Sequence, residues 1–236
     1  MLRRNRQANQ RGSTKRKIIS HFNPKSPIAE QYRTIRTNIQ FSASETSMQT
    51  ILVSSAGPGE GKSTTVANLA IVMAQQGKRV VLVDADLRKP TVHYTFQVNN
   101  LIGLTNVLTG QTETNSVISP TLVPNLSVIT CGPIPPNPSE LLSSRRMSQL
   151  LEELMTDYDY VFFDTPPVLA VADAQILANQ CDGSILVVSS GQTDRQGAIK
   201  AKEQLASARA KLLGAVLNGK PKRDNQYYYY YGDGNK

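Results

Sequence analysis

The chain reads as an α/β protein of three layers, a mainly parallel sheet with helices packed on both faces. Three observations predict this. Short, nearly continuous Val/Ile/Leu runs recur from residue 49 onward, as strands buried on both faces require. Stretches of helical character separate them, the alternation that builds a parallel sheet. Acidic residues and a glycine-rich turn fall where these runs end.

In chain order, residues 26–42, "SPIAEQYRTIRTNIQFS", form an amphipathic helix with Ile28, Tyr32, Ile35 and Ile39 on its apolar face. Ser26-Pro27 supplies the N-cap and first turn. Glu30, Arg33 and Arg36, spaced i, i+3, i+6, gather on one side of it. "QTILVSS" (49–55) is a strand, and "KSTTVANLAIVMAQQG" is a helix closed by Gly77. "RVVLVDAD" (79–86), "LSVIT" (126–130), "YVFFD" (160–164), "GSILVVSS" (183–190) and "GAVLNG" (214–219) are further strands. Residues 139–158, 173–181 and 195–213 are helical in character. The domain division is a basic flexible arm over 1–24, a globular domain over 25–220 that includes the helix at 28–40, and a flexible tyrosine-rich tail over 221–236.

Composition narrows the function classes. The 236 residues suffice for one large α/β domain. No apolar run approaches the roughly 20 residues that span a bilayer, and no apolar stretch follows the basic N-terminus as in a secretory signal. Cys131 and Cys181 sit beside apolar runs and read as buried thiols in a reducing compartment. His21 and His93 are too scattered for a zinc site. Residues 1–17 hold seven of the 26 basic residues and no acidic one, leaving 19 basic against 18 acidic in the rest. The body is therefore no nucleic-acid-binding surface, and specific nucleic-acid binding is not expected. The arm fits anionic lipid, a nucleic acid or a purely solubilising role.

The turn after the first strand, Ala56-Gly57-Pro58-Gly59-Glu60-Gly61-Lys62-Ser63-Thr64, matches the P-loop pattern with Ala for the first Gly. Backbone N–H groups converging on phosphate oxygens need small residues and permissive φ angles. Lys62 reaches the β/γ-phosphates, Ser63 binds magnesium, and the helix N-terminus adds its partial positive charge. Because the turn follows a strand and opens a helix, the pattern points to ATP and Mg2+ and to a P-loop NTPase fold. "VVLVDADLRKP" ends its strand in Asp84 and Asp86, and "YVFFDTPP" ends another in Asp164, on the sheet edge where ligands bind. Asp164 is the group that holds magnesium through water. Asp84 is placed to orient or deprotonate an attacking oxygen and to contribute to the metal site, with Asp86 beside it. Arg88 is a candidate for stabilising charge on the transferred group, and equally a surface arginine ahead of Pro90.

Together these motifs resemble the bacterial tyrosine kinases, which use a P-loop ATPase scaffold and are unrelated to eukaryotic protein kinases. "EQYRTIR", "GPIPPNPSELLSS" (132–144) and the tyrosine-rich tail extend the resemblance over nearly the whole chain from about residue 24. The form it resembles is the separate cytoplasmic kinase typical of Gram-positive bacteria. The resemblance implies ATP and magnesium at Lys62, Ser63 and the loop glycines, catalysis by Asp84, and a Walker B role for Asp164. It implies a ring-shaped homo-oligomer, an octamer, assembled through Glu30, Arg33 and Arg36. It also implies activation by the cytoplasmic end of a membrane-anchored partner, a place at the inner face of the membrane, and a role in capsule or exopolysaccharide production. Asn218 resembles an adenine-contacting Asn of the superfamily. The competing reading is a partition or cell-division type ATPase switch without kinase activity. Those proteins carry a second lysine where this chain has Gly57.

The tail, "DNQYYYYYGDGNK", places Tyr227, Tyr228, Tyr229, Tyr230 and Tyr231 in succession between polar and glycine-rich flanks that offer them nothing to bury against. If residues 214–219 run parallel to the other strands, the tail leaves from the P-loop edge. At about 3.3–3.6 Å per residue the rings reach roughly 23–40 Å from Lys220, enough for the same chain's site or a neighbour's. The tail is thus expected to be the kinase's own substrate, alongside other protein tyrosines. Phosphorylation of all five rings adds roughly −8 to −10 of charge.

Overall fold

The computed structural model describes residues 18–42 and 48–221. The basic run 1–17 and the tyrosine cluster 227–231 lie outside them. The elements are α1 (Ile19–Phe22), α2 (Pro27–Ser42), β1 (Thr50–Ser55), α3 (Lys62–Ala74), β2 (Val80–Asp84), α4 (Val92–Phe96), α5 (Leu104–Leu108), β3 (Ile118–Pro120), β4 (Leu126–Ile129), α6 (Pro138–Leu142), α7 (Arg145–Asp157), β5 (Tyr160–Asp164), α8 (Asp173–Ala178), β6 (Gly183–Ser189), α9 (Arg195–Ala206) and β7 (Lys211–Asn218).

Seven strands form one sheet in the order β3-β4-β2-β5-β1-β6-β7, parallel throughout except for the β3–β4 pair. Strand alternation divides the core into two layers. Ile51, Val53, Val80, Leu82 and Phe162 face α2 and α3, whereas Leu52, Val81, Val83, Val161 and Phe163 face the helices from α5 to α9. This is the three-layer α/β architecture, with all C-terminal ends of the parallel strands opening on one edge.

Helix α3 is buried on every side because α1 and α2 lie over its outer face. The Ser20 amide donates to Asn68 Oδ1 and the Ser20 carbonyl accepts from Gln75. Residues from Ile18, inside the stretch read from sequence as an arm, are therefore packed on α3. Ser26 Oγ accepts the Ala29 amide at 3.1 Å, the cap its position suggested. Tyr32 and Ile39 are buried as their spacing indicates, but Ile28 is 42% exposed and Ala29 packs in its place. Glu30 pairs with Arg33 on the surface, while Arg36 Nη1 donates to the Val72 carbonyl at the end of α3.

Two helix boundaries and one edge strand are among the differences from the sequence reading. The helix expected over 139–158 is two, because Ser144 Oγ caps the Met147 amide and restarts the chain as α7. The helix expected over 195–213 ends at Ala206. Lys211 pairs with Gly183, so residues 211–213 are strand, their local preference overridden by pairing with β6. The antiparallel strand β3 carried no period of its own, being three residues on a sheet edge where Pro120 is tolerated.

Candidate active site

The loop from Ala56 to Gly61 joins β1 to α3, so its backbone lies at the centre of the strand-end edge. Gly61 has φ +93°, and a Cβ there would stand 2.0 Å from Asn218 Nδ2. Only glycine meets both demands. Gly59 also has positive φ, and Pro58 and Gly59 form the exposed lip. Ser55 Oγ donates to the Gly57 carbonyl, and the Thr65 amide closes the first helical turn on the Gly61 carbonyl. Thr64 lies on that turn, its carbonyl accepting from Asn68.

Lys62 is nearly buried, and its Nζ donates to Asp86 Oδ2 at 2.9 Å and Asp164 Oδ1 at 3.2 Å, with Ser63 Oγ at 3.3 Å. Burial opposes its charge, but Asp164 and Asp86 outweigh it and hold the ammonium above its ordinary range. Asp84 and Asp164 are register partners at the ends of adjacent strands, both without solvent exposure. Asp84 Oδ2 accepts the Thr91 and Val92 amides, each at 2.8 Å. Its other oxygen is buried with no hydrogen-bond partner. Burial first, and then the charge of Asp164, push the Asp84 carboxyl up to about 8 against the pull of those amides and Lys62. The Lys89 amide caps Asp86 Oδ1.

This donor set fits magnesium. Among the described residues no group of three or more His, Cys, Asp or Glu is arranged to hold a metal alone. Magnesium asks instead for one or two carboxylates, a hydroxyl and phosphate oxygens. Asp164, Ser63 and the unpartnered oxygen of Asp84 meet that requirement.

Two further expected residues have protein partners in this structure. Arg88, a candidate for stabilising transferred charge, is committed to Asp173 through Nε (2.8 Å) and Nη2 (3.1 Å). Ser139 Oγ donates to the same Asp173. This gives "GPIPPNPSELLSS" a structural part: its serine helps anchor the loop that carries the acids. Asn218, read by resemblance as an adenine contact, donates Nδ2 to the Glu60 carbonyl at 3.0 Å. The sequence reading missed Thr91, whose hydroxyl reaches Asp164 Oδ2 at 3.4 Å, and Asp173, the first residue of α8.

Fold and loop together define a P-loop α/β domain, and comparison with known proteins narrows the class. A family model described as an AAA domain matches residues 48–212. The chain is 55% identical over 223 residues to the tyrosine-protein kinase YwqD of Bacillus subtilis (strain 168), covering 94% of each. It is 41% identical over 222 residues to the putative tyrosine-protein kinase CapB of Staphylococcus aureus, covering 94% of this chain and 97% of the relative. Among solved structures, the chimerical protein CapA2B2 aligns at TM-score 0.84 with 44% identity, over 87% of this chain and 90% of that one. The kinase domain of the Escherichia coli tyrosine kinase ETK aligns at 0.85 with 38% identity, over 93% and 86%. The septum site-determining protein MinD of Pyrococcus horikoshii, at TM-score 0.62 and 24% identity, shares the fold alone. The chain belongs to the bacterial tyrosine-protein kinases, and the reading as a cell-division type switch has the weaker support.

Proposed function

We propose that this kinase transfers the γ-phosphoryl group of ATP, with magnesium, to tyrosines of its own tail, Tyr227 to Tyr231, and to tyrosines of other proteins. The observation that carries the reading is the cluster at the strand ends. One lysine is shared by Asp86 and Asp164, and a neighbouring buried Asp84 keeps one oxygen unpartnered. The backbone N–H groups of Gly57, Gly59 to Ser63 and Thr64 would cradle the phosphates, and Lys62 would move from its carboxylates to the β/γ oxygens. Ser63, Asp164 and Asp84 would hold the metal, which would supply charge neutralisation on the phosphates. Asp84 would then orient the incoming tyrosine hydroxyl and take its proton, a role its position at the strand end beside the phosphate loop suits. Asp86 holds the loop through the Lys89 amide and returns to Lys62 after transfer. Arg88 serves through Asp173 and Ser139, keeping the acid-bearing loop in place.

The family resemblance further supports assembly as a ring through Glu30, Arg33 and Arg36. It supports activation by the cytoplasmic segment of a membrane-anchored partner, placement at the inner membrane face, and control of capsule or exopolysaccharide synthesis. Among the described residues no helix is long and apolar enough to cross a membrane. Transfer from labelled ATP, measured with magnesium and an activating segment, tests the site. The parent should label itself, and Lys62→Met and Asp164→Asn should lose at least a hundredfold in rate. Label transfer at the parent rate in both variants would overturn the assignment.

A further inference from the structure

Glu60 stands in the middle of the phosphate loop, where phosphate binding asks only for a backbone amide, yet its side chain is buried. Both carboxylate oxygens are engaged. Oε2 accepts the Ala56 amide at 3.0 Å, and Oε1 accepts the Thr193 hydroxyl at 2.8 Å. The Thr193 oxygen in turn accepts the Ser189 amide at 2.8 Å, and the Thr193 amide donates to the Ser189 carbonyl. A tight turn after β6 therefore presents one oriented hydroxyl to the loop. From the next strand, Asn218 Nδ2 donates to the Glu60 carbonyl, and the Asn218 carbonyl accepts the Ser190 amide at 2.8 Å. The ends of β6 and β7 thus grip the loop at a single residue.

Gly57 adds an independent observation. A Cβ there would lie 3.3 Å from Glu60 Oε1, closer than the carboxylate can tolerate without shifting. The carboxylate thus lies against the space that a side chain at position 57 would enter. A charge-assisted hydrogen bond from a hydroxyl fixed on both sides is a rigid and directional restraint.

We propose that Glu60 and Thr193 are positioning residues for the nucleotide: their strut holds the loop amides in phosphate-binding shape. This rests on the ATP-binding reading of the loop. The strut never touches the phosphates and acts through the shape of residues 56–61. It also ties that shape to β7, whose end leads into the tail.

The test is equilibrium binding of a fluorescent ATP analogue with magnesium, beside nucleotide-free thermal unfolding. Thr193→Val should weaken binding about tenfold, with a melting midpoint within about 3 °C of the parent, and Thr193→Ser should restore affinity. Glu60→Gln, the variant to use if Thr193→Val does not fold, should weaken binding about threefold. The double variant should be no weaker than Thr193→Val alone, since both act on one bond. Thr193→Val binding within twofold of the parent, Thr193→Ser as weak as Thr193→Val, or fully additive losses would each overturn the strut. Lys62→Met separates the two readings. If it binds the analogue as the parent does, the ATP reading itself falls. If it loses binding while Thr193→Val keeps it, only the strut falls.

Discussion

Asp84 shows how position on the sheet becomes chemistry. Its strand delivers it beside Asp164, with no solvent to disperse the charge of either. Burial and that neighbour hold the folded-state carboxyl up to about 8, whereas in the unfolded chain it ionises near its ordinary 3.8. Between those values the folded chain carries the extra proton. The stability this provides is complete below about pH 4 and is lost as pH rises through 8. Without magnesium, Asp84→Asn should therefore melt above the parent at pH 8.5, by about 1–3 kcal/mol. The two should converge as pH falls toward 4. Melting curves that keep the same separation at both pH values would show that Asp84 is not held protonated. Gly61 is a second residue-scale test. With φ +93° and Asn218 Nδ2 at 2.0 Å from a Cβ, Gly61→Ala should cost about 2 kcal/mol or more in a denaturant titration.

The elements show where local sequence decides and where it does not. The strands β1, β2, β5 and β6 were legible because burial on both faces leaves unbroken apolar runs. The start of α2 was legible because Ser26 and Pro27 are cap chemistry. The break between α6 and α7 was missed although serine favours an N-cap over a helix interior, because helical character continues on both sides of it. Only the Ser144–Met147 bond decides it. Removing that bond by Ser144→Ala should cost about 1 kcal/mol, read as a lower denaturation midpoint with unchanged nucleotide binding. An unaltered midpoint would mean that packing, not the cap, sets the start of α7. Lys211–Leu213 read as helix because Lys and Leu are helix formers, and only the pairing partner in β6 makes them strand. The phosphate loop and its three acids were readable as motifs. Thr91, Asp173 and Thr193 were not, because each acts through a partner far away in sequence, and single residues of common type carry no spacing.

At the scale of the whole molecule, parallel pairing brings the loop, the acids and the root of the tail to one edge. β7 runs parallel to β6, so Asn218 ends beside the phosphate loop and the chain leaves from there. In the proposed function the tail is a substrate, and its phosphorylation would also act as a switch. Five phosphotyrosines would add roughly −8 to −10 of charge per chain, enough to repel neighbouring tails in a ring. Native mass measurement should accordingly show the oligomer loosening as phosphate is added, and an unchanged assembly at full phosphorylation would contradict the switch. The central claim is that ATP phosphate reaches Tyr227 to Tyr231. Intact-mass and phosphosite mapping after incubation with ATP, magnesium and an activating segment tests it most directly. The account predicts stepwise addition of phosphates on those tyrosines in the parent and none in Lys62→Met. ATP consumed while the five tyrosines stay unmodified would contradict it.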